Sequence, residues 1–238
     1  MNNILKVILG TIYILCLGIT LFFVFSYLDI KDLSNFSYIK ENTKILIELK
    51  NNNLILFFIL FLFASIIWVL LLGFGSPIAL VSGFIFGQWY GTFISLAAFT
   101  IGSSLLYLLS GYYFNDFITK HLSKKIEKFK NLFNKNELLY FMLFRFTGGG
   151  GIPFAIQNIL PVVFNMKLKN YIISTFIGLT PIVFIINSLG SNIKRLIGNN
   201  EKLSYSLVIQ DPGIYLPLIC FIGILILSFF IKKKFFTK

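Results

Sequence analysis

Acidic residues are scarce in this chain of 238 residues: nine Asp and Glu stand against 21 Lys and Arg. None of the nine falls between Lys50 and Asn115. Phosphoryl and headgroup transfer in membranes usually needs clustered carboxylates at metal-ligand spacing, and the apolar runs contain no such cluster. The expectation is a protein that is not an enzyme and that carries no metal or other cofactor. His121 is the only histidine, which excludes a histidine-rich metal or catalytic cluster. Cysteine is limited to Cys16 and Cys220, each inside a long apolar run, so neither a disulfide nor a thiolate metal site is expected. Arginine is also scarce: Arg145 and Arg195 are the only two, and the other 19 basic residues are lysines.

What fills the chain instead is apolar. Hydrophobic residues make up 57% and aromatics 18%, with 13% charged and a mean hydropathy of +0.84. A soluble domain cannot bury so much apolar surface, so the reading is an all-α polytopic membrane protein. The lysines behind the net charge of +12 lie in the loops. That distribution suits membrane topology and anionic lipid headgroups rather than nucleic acid.

Four runs are long enough to cross a bilayer, which takes roughly 20 residues. They are 4–28, 92–114, 168–189 (with Pro181 inside) and 214–231, the last stopped by Lys232, Lys233 and Lys234. The first is too long for a signal-peptide core and no small-residue cleavage site follows it, so it is expected to remain as a helix. Two further regions, 54–90 and 138–164, are apolar but broken by Gly and Pro, although 54–72 alone is also long enough to span. Each is expected to be a re-entrant hairpin, one from outside and one from inside. That arrangement puts 13 basic residues inside and 7 outside, in keeping with the positive-inside rule, and leaves both termini cytoplasmic. Residues 118–133 alternate Ile118, Leu122, Ile126, Phe129 and Phe133 with Lys120, Lys124, Lys125, Lys128 and Lys130. The pattern suggests a basic helix lying on the cytoplasmic leaflet, or else a solvated linker helix.

The two broken regions also resemble each other. At a constant offset of 76, Gly73 pairs with Gly149, Gly75 with Gly151, Pro77 with Pro153, Ala79 with Ala155, Ile101 with Ile177 and Gly102 with Gly178. An odd number of crossings between them makes the repeat inverted, an arrangement in which broken helices meet near the midplane. The break at 148–151 is physically enforced. Four consecutive glycines would cost about 4 kcal/mol in a helix relative to alanine. Pro153 then removes a donor and pushes Ile152 away from helical angles.

Several motifs occur in order: Phe141 and Arg145 in an FxxxR step, Pro153-Phe154 after the glycines, Asn158, FIGLTP at 176–181, Gly190, and GFIFGQWYG at 83–91. Together they resemble the DedA superfamily, also called the SNARE-associated Golgi protein or VTT domain family, and its vacuolar-type branch in particular. The resemblance covers roughly residues 54–190, flanked by an N-terminal unit at 1–53 and a C-terminal unit at 191–238. It implies two opposed re-entrant hairpins and movement of lipids between leaflets, phospholipid or polyprenyl phosphate, in support of membrane homeostasis. It also implies that Arg145 is functional. A bacterial inner membrane is the expected location, membrane lipids are the expected partners, and a homo-oligomer is among the assemblies the reading admits. Family transporters carry acids in the first hairpin that this chain lacks, so any ion coupling would fall to Asp116 or Glu137.

The candidate substrate-binding residues are Arg145, Gln157, Asn158, Gly149, Gly150, Gly151 and Pro153. Gly75, Pro77, Gly83 and Gly87 form the opposing hairpin, with Gly73, Gly75, Gly83, Gly87 and Gly91 expected to serve close packing. Lys120, Lys124, Lys125 and Lys128 are expected to face the membrane surface. Arg145 has two readings: it snorkels to the headgroups, or it faces a cavity and binds a phosphate. A charge at the midplane costs about 2.5–3.5 kcal/mol, to be offset by freed carbonyls, Gln157, Asn158 or a lipid phosphate. Trp68 and Trp89 are expected as interfacial anchors. The alternative to transport is a membrane scaffold that works through its basic 118–133 segment.

Overall fold

Both hairpin regions begin with an asparagine that caps a helix. Asn53 Oδ1 accepts from the Leu56 N–H at 3.1 Å and Asn136 Oδ1 from the Leu139 N–H at 3.0 Å, each satisfying an otherwise orphan donor. In the computed structural model, which describes residues 47–71, 73–199 and 210–236 and the isolated positions 11, 15, 18, 19, 41 and 45, these caps open α1 (Leu54–Leu70) and α4 (Glu137–Phe146). The remaining elements are α2 (Gly75–Phe86), α3 (Gln88–Lys135), a 3-10 turn at Gly148–Gly151, α5 (Phe154–Ile159) with a 3-10 extension at Leu160–Phe164, α6 (Leu168–Asn199) and α7 (Pro212–Phe236). Among the described residues there is no strand, in line with the all-α expectation. Two helical stretches, Gln88–Tyr112 and Leu168–Gly198, are long and apolar enough to cross a bilayer. The expected first crossing at 4–28 lies outside the described residues.

The element order helix, short helix, long helix occurs twice, and the contacts repeat with it. A Cβ on Gly102 of α3 would meet Val69 Cβ and the Ile66 carbonyl of α1. A Cβ on Gly178 of α6 would meet Arg145 Cβ and the Met142 carbonyl of α4. All three pairs stand at the offset of 76. The return legs cross over: α2 packs on α6, and the 3-10 extension of α5 packs on α3. Each hairpin thus seats its first leg on its own long helix and its second leg on the other one. A core of Val69, Ala79, Leu96, Ala98, Phe99, Leu179 and Val183 joins the four helices α1, α2, α3 and α6.

Each broken region returns to where it began. At the far end of α2, Phe86 packs against Phe57, Phe58 and Phe61 from the first turns of α1. At the end of the second region Phe164 stacks on Phe133 at 4.3 Å, and Glu137 accepts hydrogen bonds from Lys167 N–H and Asn170 Nδ2. These two meeting points lie at opposite ends of α6: Lys167 and Asn170 stand at its start, whereas Lys194, near its end, reaches Ile85 of α2.

Three elements differ from the expectation. The 118–133 segment is not a separate helix but the continuation of α3, because no Gly or Pro interrupts the chain between Gly111 and Asn136. The direction nevertheless changes. Tyr107 donates to the Met166 carbonyl and Phe133 stacks on Phe164, although a straight helix would hold residues 107 and 133 about 39 Å apart. The helix bends between them. The side chains of 113–132, Lys120, Lys124, Lys125 and Lys128 included, lie outside the described residues. Secondly, α6 continues well past Leu189 to Asn199, since Gly190 does not break it. Thirdly, Trp68 is folded over the turn that closes the first hairpin, its Nε1–H donating to the Phe74 carbonyl at 2.9 Å. Its indole occupies the space a Cβ on Gly73 would need.

Candidate functional site

Arg145 occupies the last turn of α4 and is 0% exposed. The snorkelling geometry is therefore not adopted: its guanidinium points into the protein. Nη1 donates to Gln157 Oε1 at 3.3 Å, and Nη2 donates to Asn158 Oδ1 at 2.7 Å and to the Tyr171 hydroxyl at 3.0 Å. The rings of Phe141, Phe154 and Tyr171 stand 5.0, 5.4 and 5.8 Å from its central carbon. Cation–π contacts of this kind contribute about 0.5–2 kcal/mol each, so three rings offset a large part of the burial cost. Phe141 stands one helical turn before Arg145, which is the physical content of the FxxxR step: positions four apart share a face.

The site is built from two helix breaks. After α4, Gly148, Gly149 and Gly151 all adopt positive φ, which returns the chain within four residues. Gly149 is the position where only glycine fits, since its Cβ would fall on the Gln157 side chain. The freed carbonyls of Gly148 and Ile152 do not reach the arginine. They accept from Gln157 Nε2, at 3.1 and 2.7 Å, and so fix the amide with its oxygen toward Arg145. Pro153 caps α5 and sets Phe154, Gln157 and Asn158 on its first turns. Gly150 lies in the 3-10 turn, and Gly151 is exposed with open space beside it.

Tyr171, buried in α6, is the member that sequence reasoning missed. Its hydroxyl lies within hydrogen-bond reach of the backbone carbonyls of Ser103 and Asn158, and its ring stacks on Tyr107 at 4.9 Å. Its place in the sequence hides it: Tyr171 opens an apolar run straight after Lys167, Lys169 and Asn170, where a tyrosine reads as an ordinary interfacial residue. Gly178, in contrast, was legible as a motif glycine, and its reason is now plain: it lets Arg145 approach α6.

The pseudo-repeat shows what is particular to this half. At the offset of 76, Val69, Ser82 and Ser95 stand where the second half has Arg145, Asn158 and Tyr171, and all three are buried. The first half keeps the packing and leaves out the charge.

Between the two halves lies a cavity of about 140 Å³. Gly75, Ser76 and Ala79 line it from the first hairpin, and Arg145, Gly148, Phe154 and Gln157 from the second; Phe99, Leu179, Ile182, Val183 and Ile186 close the sides. Arg145 Nε and Asn158 Nδ2 are buried donors without a protein partner. No acid pairs with Arg145 among the described residues; the single ion pair there is Arg195–Asp211 at 2.6 Å. Of the remaining hairpin residues, Gly83 packs against the Asn187 backbone and Gly91 against the Ser82 carbonyl, as close packing demands. Gly87 has φ of 84° and open space around it, so it serves as a helix terminus rather than a packing residue. Pro77 sits in the first turn of α2, where a missing N–H costs nothing. Trp89 is 70% exposed. Among the described residues no group of His, Cys, Asp and Glu is placed to hold a metal ion.

Residues 74–192 match the VTT domain. Relatives include the uncharacterized protein YqeD of Bacillus subtilis, 28% identical over 160 residues that make up 66% of this chain and 68% of that protein. Transmembrane protein 41B of Xenopus laevis is 27% identical over 135 residues, 56% of this chain and 48% of its own. The transmembrane protein 41 homolog of Caenorhabditis elegans is 22% identical over 181 residues, 73% of this chain and 72% of its own. The chain thus spans about half the length of the vertebrate protein it matches. No solved structure matches.

Proposed function

The chain belongs to the VTT domain family of membrane proteins, and from that premise we propose that it moves lipids between leaflets, the phosphate of the headgroup passing the cavity between two opposed re-entrant hairpins. The observation that carries this reading is the buried Arg145, facing that cavity with no acidic partner among the described residues and with Nε unsatisfied. A guanidinium binds phosphate by parallel hydrogen bonds, and Nε is one of the donors such a fork uses. Gln157 and Asn158 would hold the guanidinium in place and then turn toward the headgroup, while the acyl tails stay in lipid.

The hairpin placement draws support from the contacts. The two legs of each broken region meet at one end, and the two meeting points lie at opposite ends of α6. Irregular backbone at membrane depth must be covered by protein or line a cavity; in the glycine turn Gly148 lines the cavity and Gly149 is buried. A bacterial inner membrane with both termini cytoplasmic completes the proposal, on the strength of the lysine distribution.

Reconstitution in liposomes tests it. With fluorescent lipids in both leaflets, the protein is expected to expose inner-leaflet phospholipid to an external quencher much faster than protein-free vesicles do. A fluorescent diacylglycerol, which has no phosphate, would show no such protein dependence. Absence of phospholipid exchange, with or without a pH gradient, rejects the reading.

A further inference from the structure

The far end of α2 carries more positive charge than its helix terminus requires. Lys50 Nζ and Lys194 Nζ both point at the Ile85 carbonyl, each at 3.5 Å, so the two ammonium groups are no farther apart than twice that distance. They come from segments 144 residues apart in sequence. A helix C-terminus carries about half a negative charge, which one lysine already answers. Among the described residues neither lysine has an ion-pair partner, and Asp211 is taken by Arg195, the neighbour of Lys194 in the chain. Two like charges held this close by the fold call for an anion between them.

We infer that Lys50 and Lys194 form a second phosphate station, at the membrane surface, which takes the headgroup phosphate of a lipid in the leaflet at this end. A phosphate accepts charged hydrogen bonds at about 2.8 Å, so one group can bridge both lysines. The surroundings are those of a bilayer surface rather than of bulk solvent. Leu54 and Ile55, just after Lys50, are exposed, as are Trp89 and Tyr90, just beyond Gly87. The station also lies in line with the cavity. Ile186 lines the cavity on α6 and Ala79 on α2; Lys194 is about 12 Å beyond the first and Ile85 about 9 Å beyond the second. Between cavity and station the two helices are in backbone contact, Gly83 against Asn187 and Gly190 against the Leu80 carbonyl, so this side is closed in the present state. The inference rests on the membrane placement proposed above and not on transport.

The test is made on the purified full chain in a neutral detergent, with the thermal unfolding midpoint as readout. Dihexanoyl phosphatidylglycerol, dihexanoyl phosphatidylcholine and inorganic phosphate are titrated separately. The two lipids are expected to raise the midpoint of the wild type. Lys50→Gln with Lys194→Gln should weaken the apparent affinity about tenfold or more, each single variant less, and the double Lys→Arg variant should stay near wild type. Should the double glutamine variant not fold, the two single variants carry the comparison. Lipid binding equal in the glutamine variants and the wild type, or no lipid-dependent shift at all, overturns the station. Lysine-dependent binding of inorganic phosphate without binding of either lipid overturns the assignment to headgroups. No leaflet exchange is involved in this readout, so a failed transport assay leaves it unaffected.

Discussion

At the scale of the residue, the charge of Arg145 is held by neutral groups. Two side-chain amides, one phenol and three ring faces surround it, with no carboxylate among the described residues. An acid there would neutralise the guanidinium and compete with an incoming phosphate; neutral acceptors leave its charge available. Tyr171 is the group on which this depends most from outside the hairpin. Tyr171→Phe keeps the stacking on Tyr107 and removes the hydroxyl bridge to Arg145 and the Ser103 carbonyl. A stability loss of about 1–3 kcal/mol is expected, because buried hydrogen-bonding groups are left without a partner. Thermal or denaturant unfolding in detergent measures it; an unchanged midpoint would show that the hydroxyl bridge contributes nothing. Arg145, Gln157 and Asn158 were legible in the sequence because polar residues in an apolar hairpin stand out. The ring contacts and Tyr171 were not, since a residue 26 positions away enters the site only through the packing of α6 on α4.

At the scale of the element, glycines fix how closely the long helices approach. Gly102 and Gly178 are the same contact made twice, and the second is the tighter: a Cβ would come to 2.9 Å of Val69 in one and 2.6 Å of Arg145 in the other. Alanine at either position should destabilise by about 1–3 kcal/mol, as overpacking does, with Gly178→Ala the costlier. The paired comparison of unfolding midpoints checks this, and a harmless Gly178→Ala would contradict the close approach. The glycine turn acts differently. Gly151 has φ of 87° and open space, so alanine there meets no atom and costs only backbone strain, on the order of 1 kcal/mol. The offset of 76 was readable from sequence as a register of Gly and Pro. The crossed packing of the return legs was not, because it is a tertiary choice that no local period encodes. The lengths of α3 and α6 were underestimated for a related reason: polarity ends an apolar run, but helical hydrogen bonding goes on until a breaker intervenes.

At the scale of the whole molecule, two hairpins face each other along α6 and a small cavity separates their tips. Residues at the two ends of α6 should then lie on opposite sides of the membrane. In a background with Cys16 and Cys220 replaced, a single cysteine at Lys194 should react with an impermeant thiol reagent from outside intact cells. One at Lys167 should react only after permeabilisation. Labelling of both from one side would rule out opposed hairpins. The all-helical membrane class was visible in composition, and the two helix breaks were visible in the placement of glycine and proline. The Lys50–Lys194 pair was not, because each lysine alone looks like an ordinary loop charge.

The central claim is that Arg145 receives a lipid phosphate in the cavity, and the most direct measurement is the leaflet-exchange rate of reconstituted Arg145→Ala and Arg145→Lys beside the wild type. Folding is checked by a monodisperse elution profile and a cooperative unfolding transition. Loss of a charged hydrogen-bonding group costs about 1.5–3 kcal/mol, which corresponds to an expected drop of roughly ten- to a hundredfold for Arg145→Ala. Lysine keeps the charge but not the fork, and should restore only part of the rate. A folded Arg145→Ala protein that exchanges phospholipid at the wild-type rate would contradict the claim.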